Sequence, residues 1–136
     1  MSKWISKSWE MPSVKTDPPV QRALKMLFSP EVNGYEKATI LLSVIPPGSK
    51  SEEHTHPDSD EIMYFLGRGE GTLGKERVKI EQDLIIVAPK GVPHQVFNTS
   101  DTDTLKIICI YIPPVKPSEL LAKAAQLSRE KLISQE

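Results

Sequence analysis

Proline and glycine divide this sequence into short apolar runs, which excludes a fold built on long helices. The 136 residues include twelve prolines and seven glycines, and both residue types interrupt helices and mark turns. The runs between them are rich in β-branched and aromatic side chains, as β-strands are. They cover residues 37–45, 61–66, 75–81, 84–88, 94–98 and 105–112, and the glycines of 67–71 are predicted to close a turn. Six or more short strands with frequent turns predict an all-β fold, either a sandwich or a barrel.

The two ends of the chain differ from its middle. Prolines recur through residues 1–35, which are therefore predicted to form an arm with one or two short edge strands. Near the other end, Ser118 and Glu119 are a suitable N-cap and first-turn residue for a segment of good helix formers. We expect one domain in all, with the arm over 1–35, a barrel over 36–114 and a C-terminal helix within 115–136.

Composition excludes several classes of function. Seventeen Lys and Arg residues against eighteen Asp and Glu residues give a net charge of −1, so no basic excess is present to bind nucleic acid or an anionic membrane. No apolar run approaches the roughly 18 residues that span a bilayer. The N-terminus lacks the apolar segment of a secretory signal, and the single cysteine, Cys109, fits a reducing compartment. We expect a cytoplasmic protein that binds neither nucleic acid nor membrane.

The three histidines of the chain all lie next to turn sequences. His54 and His56 are two residues apart, a spacing that points both rings to one side of an extended segment. A Pro-Asp-Ser-Asp turn follows, so Glu61 at the start of the next strand would return beside them. His94 follows a turn of prolines and glycine and could supply a third ring. Three imidazole nitrogens and one carboxylate oxygen would bind a divalent ion and leave one or two positions open.

Any one of these histidines, taken alone, could be an ordinary surface or core residue. The spacing of all three with Glu61, however, resembles the two sequence motifs of the cupin superfamily of small β-barrels. The two matching stretches are Gly48-x5-His54-x-His56-x4-Glu61 and Pro89-x-Gly91-x2-His94-x3-Asn98. The resemblance covers about residues 36–113. It implies an antiparallel double-stranded β-helix, or jelly-roll barrel, in which His54, His56, Glu61 and His94 are the metal ligands. It also implies that Gly48, Gly91 and Asn98 shape turns and barrel walls.

Strand alternation predicts which side chains line the barrel interior. Charged residues such as Lys37 and Lys106 should face water, and the residues between them should face inward. The predicted inward set is Ala38, Ile40, Leu42, Val44, Met63, Phe65, Val96, Asn98, Leu105, Ile107, Cys109 and Tyr111. Apart from the metal, its polar members are Asn98 and Tyr111, and it contains no Lys or Arg. We therefore expect a small, weakly charged organic ligand or substrate.

The site leaves more than one function open. A metal-dependent enzyme could use Fe(II) with dioxygen, as cupin dioxygenases do, or Mn, Zn or Ni as a Lewis acid for isomerase or lyase chemistry. One divalent ion per chain is expected, with Fe, Mn, Zn, Ni, Co and Cu all compatible with these ligands. Glu61 would be a ligand and Tyr111 a proton donor. The alternative is a non-catalytic module that binds a metal or small molecule; a purely structural barrel would not need three histidines at one point.

A homodimer is the expected assembly. Exposed sheet edges and apolar faces favour self-association in β proteins, and two-fold dimers are the commonest oligomers. The parts predicted to contact a second copy are the arm that carries Trp4 and Trp9, and the helix stripe of Leu120, Leu121 and Leu127. The helix could instead cover one mouth of its own barrel.

Overall fold

Nine strands form two antiparallel sheets in the computed structural model, which describes residues 2–135. The strands are β1 (Val14–Lys15), β2 (Ala23–Phe28), β3 (Thr39–Ile45), β4 (Asp60–Leu66), β5 (Gly69–Leu73), β6 (Glu76–Ile80), β7 (Ile85–Ala88), β8 (His94–Phe97) and β9 (Leu105–Ile112). The helices are α1 (Pro30–Asn33) and α2 (Glu119–Ser134), and Ser8–Glu10 form one 3-10 turn. One sheet has the order β1-β2-β3-β9-β4-β7 and the other has the order β6-β5-β8. The predicted all-β jelly roll with a C-terminal helix is confirmed.

The six predicted runs all become strands, but two other strands differ from expectation. The arm contributes β2, which lies between β1 and β3 and is therefore an interior strand rather than an edge. The glycine-rich segment after β4 is not only a turn, because it contains β5, which pairs with both β6 and β8. A Cβ atom at Gly69 would overlap the carbonyl oxygen of Phe97, so glycine is needed for β5 and β8 to approach each other.

The barrel core is made of the inward side chains of both sheets. The largest completely buried hydrophobic side chains are Phe65, Met26, Ile45, Ile80 and Leu105. Alternation correctly predicts the inward residues of β4, β8 and β9, where buried and more exposed positions follow one another. These three strands bring Glu61, His94 and Tyr111 to the interior.

The inward set predicted for β3 is wrong by one residue. Leu41 pairs with Cys109 and Ser43 pairs with Ile107, so these two β3 residues share the interior face with β9. The outward positions of the strand are the predicted inward residues Ile40, Leu42 and Val44, while Ala38 precedes the strand. The prediction is wrong because it assigns inward and outward positions by counting from Lys37, which also lies before the strand. The alternation of apolar and polar residues does not distinguish the two faces of β3, because Leu42 is buried on the outer face as well.

The C-terminal helix begins where the sequence predicts. The Ser118 hydroxyl oxygen accepts a hydrogen bond from the Leu121 backbone N–H at 3.3 Å, which caps α2. The helix packs against β2 and α1 of its own chain, and the buried Ser128 hydroxyl donates to the Met26 carbonyl oxygen at 2.6 Å. No helix within residues 2–135 is long and apolar enough to cross a membrane.

Candidate metal centre

The loop that follows β3 runs beside β8 and carries two of the three histidines. His54 and His94 form an isolated bridge in which each backbone N–H donates to the other residue's carbonyl oxygen, at 3.1 and 3.0 Å. Their ring centroids are therefore only 4.2 Å apart. The Gly91 N–H donates to the His56 carbonyl oxygen at 3.0 Å, which ties the second histidine to the turn before β8. Gly91 adopts a φ of +75°, a left-handed conformation that glycine tolerates best.

Glu61 is the point on which the three rings converge. It begins the inward series of β4 and pairs with Tyr111 of β9 on one side and Ala88 of β7 on the other. Its Oε1 atom lies 2.8 Å from His94 Nε2, 3.1 Å from His56 Nε2 and 3.7 Å from His54 Nε2. One ligand atom from each of the four residues lies within 4.8 Å of the others. The structure thus brings the four predicted ligands together as a candidate metal site.

Backbone carbonyl groups orient two of the rings. His54 Nδ1 lies 2.6 Å from the Glu52 carbonyl oxygen, and His94 Nδ1 lies 3.1 Å from the Val92 carbonyl oxygen. A carbonyl oxygen can only accept, so each Nδ1 carries the hydrogen and each Nε2 is turned toward Glu61. Such contacts to the far ring nitrogen are the usual support for histidine ligands of metals.

His56 provides the observation that tests whether a metal fits. Its Nε2 atom is buried and lies 3.1 Å from Glu61 Oε1, but it is not oriented to form a hydrogen bond with that oxygen or with any other described group. Leaving a buried nitrogen without a partner costs about 1–3 kcal/mol. A divalent cation bound among three imidazoles and a carboxylate would satisfy that nitrogen, and this donor set suits first-row transition metals. The residues present therefore fit the metal.

The site is open on one side. The side chains of Glu61 and His94 are almost completely buried, whereas those of His54 and His56 are 26% and 22% exposed. Solvent and small molecules can therefore approach along the loop that carries the two partly exposed rings.

Comparison with known proteins agrees with this arrangement. The family model described as "Cupin domain" matches residues 41–111, more than half of the chain. The chain is a cupin. The uncharacterized protein MJ1618 of Methanocaldococcus jannaschii is 34% identical to it over 92 residues, 67% of this chain and 73% of that protein. Polyketide synthase CurC of Streptomyces cyaneus is 27% identical to this cupin over 99 residues. The match covers 72% of this cupin but only 63% of CurC.

Two solved structures illustrate the shared fold. The crystal structure of a predicted oxalate decarboxylase from Thermotoga maritima has a TM-score of 0.71 and 23% identity, covering 80% of this cupin and 98% of that chain. KdgF from Halomonas sp. has a TM-score of 0.63 and 19% identity, covering 79% of this cupin and 91% of that chain. At this level of identity, the likeness shows the fold.

The electrostatics of this cupin's site favour an ionised carboxylate. Burial by itself raises the pKa of Glu61, but close polar contacts with His54, His56 and His94 outweigh burial and hold that pKa well below its usual range. For His94, burial lowers the pKa, while the Glu61 carboxylate and the Val92 carbonyl oxygen raise it above the ordinary value. Glu61 is therefore an anionic group at neutral pH, as a metal ligand must be.

Tyr111, the predicted proton donor, lies against the site. Its ring packs edge-on against the His56 ring, with centroids 4.7 Å apart, and its side chain is buried. Burial and the negative charge of Glu61 raise the pKa of Tyr111 well above 10. The phenol therefore keeps its proton at neutral pH and can donate it.

Asn98 does not contribute a free polar group to the interior, so its predicted place among the polar groups facing a ligand is wrong. Its amide nitrogen donates to the carbonyl oxygens of Ile45 and Asp103 at 2.9 and 2.8 Å. Its amide oxygen accepts from the Ser100 N–H at 3.1 Å. These bonds close the turn before β9, so the role that the family resemblance implies, shaping the barrel wall, fits the structure.

Arg22 is a charged group near Tyr111 that local sequence patterns do not indicate. Its positive charge acts on Tyr111 and lowers the pKa of the phenol, against the larger raising effects of burial and Glu61. Arg22 directly precedes β2, where Leu24 and Met26 are buried. Arg22 lies two residues before Leu24, so the same alternation places it on the interior side of the sheet. The sequence alone does not show where β2 begins or ends.

Proposed function

We propose that this cupin binds one divalent first-row transition metal ion through His54, His56, Glu61 and His94 and is a metal-dependent enzyme. The observation that carries the proposal is the convergence of three imidazole nitrogens on one Glu61 oxygen, with His56 Nε2 buried and without a hydrogen-bond partner. When bound, such an ion supplies a Lewis acid with open coordination positions, and iron in particular supports dioxygen chemistry. The reaction class is an oxidation of the dioxygenase kind or an isomerase or lyase reaction.

The substrate is a small, weakly charged organic molecule. It would approach beside His54 and His56, the two partly exposed ligands. Apolar side chains such as Met63 and Ala88 lie next to Glu61 on the interior face, so they favour an apolar body.

Each residue of the site has a distinct task. Glu61 supplies the anionic ligand, and the carbonyl groups of Glu52 and Val92 hold two imidazoles in the orientation that ligation needs. Tyr111 keeps a proton on its phenol oxygen at neutral pH, and it is assigned as the proton donor because its ring packs against the His56 ring beside the site.

The first test is the metal content of wild-type protein purified without added metal and without a histidine tag. We expect close to one transition metal ion per chain by elemental analysis. Protein that contains no stoichiometric metal, and binds none when Fe, Mn, Zn, Ni, Co or Cu is supplied, would contradict the proposal.

Replacing Tyr111 with phenylalanine is expected to reduce catalysis and leave metal content unchanged. Loss of a general acid lowers rates by about 10²–10⁴ fold, and the phenol is not among the proposed ligands. The measurement is turnover of a panel of small organic molecules, followed as dioxygen uptake and as isomerised or cleaved product. Tyr64→Phe is the matched control, because Tyr64 faces the opposite side of β4 and bonds to Asp83 at 2.6 Å. Equal rates in both variants would remove Tyr111 from the mechanism.

A non-catalytic module that binds a metal or small molecule is the second candidate function. The observation that favours it is the filling of the barrel by completely buried side chains such as Phe65, Ile80 and Leu105. A ligand would then be confined to the mouth beside His54 and His56. Stoichiometric metal without turnover of any molecule of the panel would favour this function over the enzyme.

Chelation is expected to lower the melting temperature of this cupin by only a few degrees. The core is aliphatic and aromatic and does not include the ligands, so the metal adds stability only through its binding to the folded state. The measurement is a thermal melt at neutral pH with and without a strong chelator. Complete unfolding on chelation would identify a structural metal and end the enzymatic proposal.

Metal affinity is expected to fall as the pH drops below neutrality. Protons compete with the ion for the imidazoles, and the raised pKa of His94 makes this ring take up a proton at higher pH than an ordinary histidine. Glu61 does not compete in this range, because its pKa is lowered. The metal affinity is therefore highest at pH values above the raised pKa of His94, and it decreases as the pH falls through that pKa. Metal titrations between about pH 8 and 5, where histidine changes charge, check this; a constant affinity would argue against imidazole ligands.

A further inference from the structure

Ser43 carries a buried hydroxyl group that the fold does not use. It lies on the interior face of β3, between Leu24 of β2 and Ile107 of β9, and is 2% exposed. Its Oγ atom has no hydrogen-bond partner among residues 2–135. The other buried serines all form side-chain hydrogen bonds; they are Ser29, Ser49, Ser51, Ser59 and Ser128. Because an unpaired buried hydroxyl destabilises a fold, Ser43 calls for a partner from outside the chain.

Arg22 brings a positive charge to the same interior. Its carbonyl oxygen accepts from the Thr16 N–H at 3.0 Å, and its own N–H donates to the Thr16 hydroxyl at 2.9 Å. These bonds extend the pairing of β1 with β2, so Arg22 keeps the alternation of β2 and shares the interior face with Leu24. In the register of β2 with β3, Ser43 is its diagonal neighbour, a separation that a long side chain can cross.

The charge of Arg22 has no acidic partner in the described chain. None of the ion pairs within residues 2–135 includes it. Glu61 is the one buried acidic residue there, and its carboxylate already faces three histidines. Burial raises the pKa of Cys109 and of Tyr111, and the positive charge of Arg22 opposes that rise in both. The guanidinium therefore lies near these interior groups, where a negative charge would pair with it.

One guanidinium and one hydroxyl group form a donor set for a single carboxylate. A guanidinium donates two parallel hydrogen bonds to the two carboxylate oxygens, and a serine hydroxyl can donate a third. A phosphate group carries about −1.5 to −2 charges and three acceptor oxygens, more than this pair satisfies. The neighbouring Leu24, Ile45 and Ile107 are buried and apolar, so their side chains add no donor.

The distance between this pair and the metal centre sets the length of a ligand that reaches both. Ile107 pairs with Ser43 and Tyr111 pairs with Glu61. Ile107 and Tyr111 are four residues apart on β9, about 13 Å at ~3.3 Å per residue, and side chains from both ends shorten this span. The interior row between them is lined by sulfur-containing side chains: Met26, Met63 and Cys109. Methionine side chains adapt readily to a bound molecule, so a short-chain ligand suits this space.

We propose that Arg22 and Ser43 bind the carboxylate of a small monocarboxylate substrate whose other end reaches the metal centre. They are specificity-determining residues, and we call the pair the carboxylate subsite. This inference rests on the proposed function, because it names the substrate class of the same site. The interior contains an arginine, contrary to the expectation from strand alternation that no Lys or Arg faces inward.

The first test measures the affinity of zinc-loaded protein for butyrate and for its neutral amide, butyramide, by NMR titration. We expect wild type to bind butyrate at least about tenfold more tightly, since only butyrate forms charged hydrogen bonds with the guanidinium. Arg22→Gln should bind both probes equally. Arg77→Gln, which changes an 83% exposed arginine of β6, is the control and should keep the preference. If Arg22→Gln does not fold, Arg22→Lys replaces it and should show a weaker preference, because an ammonium group lacks the forked geometry.

The same titrations on protein treated with a strong chelator separate the carboxylate subsite from the metal. A preference for butyrate that persists without metal and requires Arg22 supports the subsite, even if the metal-dependent enzyme proves wrong. A preference that is the same in wild type and Arg22→Gln would place the carboxylate elsewhere, on the metal if chelation abolishes it, and would overturn the subsite. Equal binding of the two probes by wild type, or tighter binding of inorganic phosphate than of butyrate, would overturn it as well.

Ser43→Ala tests whether this hydroxyl group serves the ligand or the fold. Removing a buried group without a partner should leave the urea midpoint unchanged or raise it, and should weaken butyrate binding roughly threefold or more. Ser128→Ala is the control, because that buried hydroxyl donates to the Met26 carbonyl oxygen at 2.6 Å, so its loss should lower the midpoint. A midpoint that falls as far in Ser43→Ala as in Ser128→Ala, or an unchanged affinity for butyrate, would remove Ser43 from the subsite.

Discussion

Replacing His54 and His56 together with alanine is expected to remove the bound metal completely and to leave the barrel folded. Glu61 and His94 would be the remaining candidate ligands, and two protein donors hold a first-row ion far more weakly than the three or four of ordinary sites. Both replaced rings are partly exposed, so their loss takes few contacts from the core. The bridge between residues 54 and 94 is made by backbone atoms and does not need the His54 ring.

Elemental analysis measures the loss of metal, and circular dichroism measures whether the barrel stays folded. Glu53→Ala is the matched control, because Glu53 is an exposed acidic residue of the same loop and is not among the four converging groups. The control should keep one ion per chain. Stoichiometric metal in the double variant would mean that the ion is bound elsewhere, and the assignment of the site would be wrong.

Replacing Phe65 with alanine is expected to lower the free energy of unfolding by about 3–5 kcal/mol, the usual cost of removing a buried phenylalanine ring. Phe65 is completely buried and lies on the same inward face of β4 as Glu61. Its backbone also holds the turn into β7, since its N–H donates to the Leu84 carbonyl oxygen at 3.0 Å and its carbonyl oxygen accepts from the Asp83 N–H at 2.9 Å. The cavity left by the ring would loosen the packing of the strand that carries Glu61.

Urea denaturation of the metal-free protein at one fixed protein concentration measures this loss without a contribution from metal binding. Phe65→Leu, which keeps most of the apolar volume, should lose much less stability than Phe65→Ala. A loss below about 1 kcal/mol in Phe65→Ala, the average for any substitution, would show that the ring is not part of a tightly packed core.

The sequence alone was sufficient for those features that depend on local pattern. The alternation along β4 and β9 identifies their inward residues because each strand has a polar or charged residue at its start that sets the phase. Ser118 identifies the start of α2 because its hydroxyl group caps whichever helix follows. The spacing of His54, His56, Glu61 and His94 predicts their convergence, since turns on either side return each segment to the same place.

Other features were decided by residues distant in sequence. Gly69 reads as part of a turn, yet it allows β5 to approach Phe97, a contact that becomes visible only once both strands are placed. The alternation of residue types does not show which residues of β3 face inward, because the arm and α2 bury the outer face of this strand as well. Arg22 and Asn98 likewise depend on partners from other strands or turns.

The difference between the features that the sequence predicts and those that the tertiary structure decides has a physical cause. Periodicity and turn chemistry act over a few neighbouring residues, so they specify strands, a helix cap and the direction in which a ligand points. Burial of a second face, a close backbone approach and a nitrogen left without a hydrogen-bond partner are properties of the packed chain. The sequence therefore determined that this cupin has a jelly roll in which four candidate metal ligands converge. The tertiary structure alone decided that His56 Nε2 is buried without a hydrogen bond and that Ile85 and Val87 of β7 stay exposed.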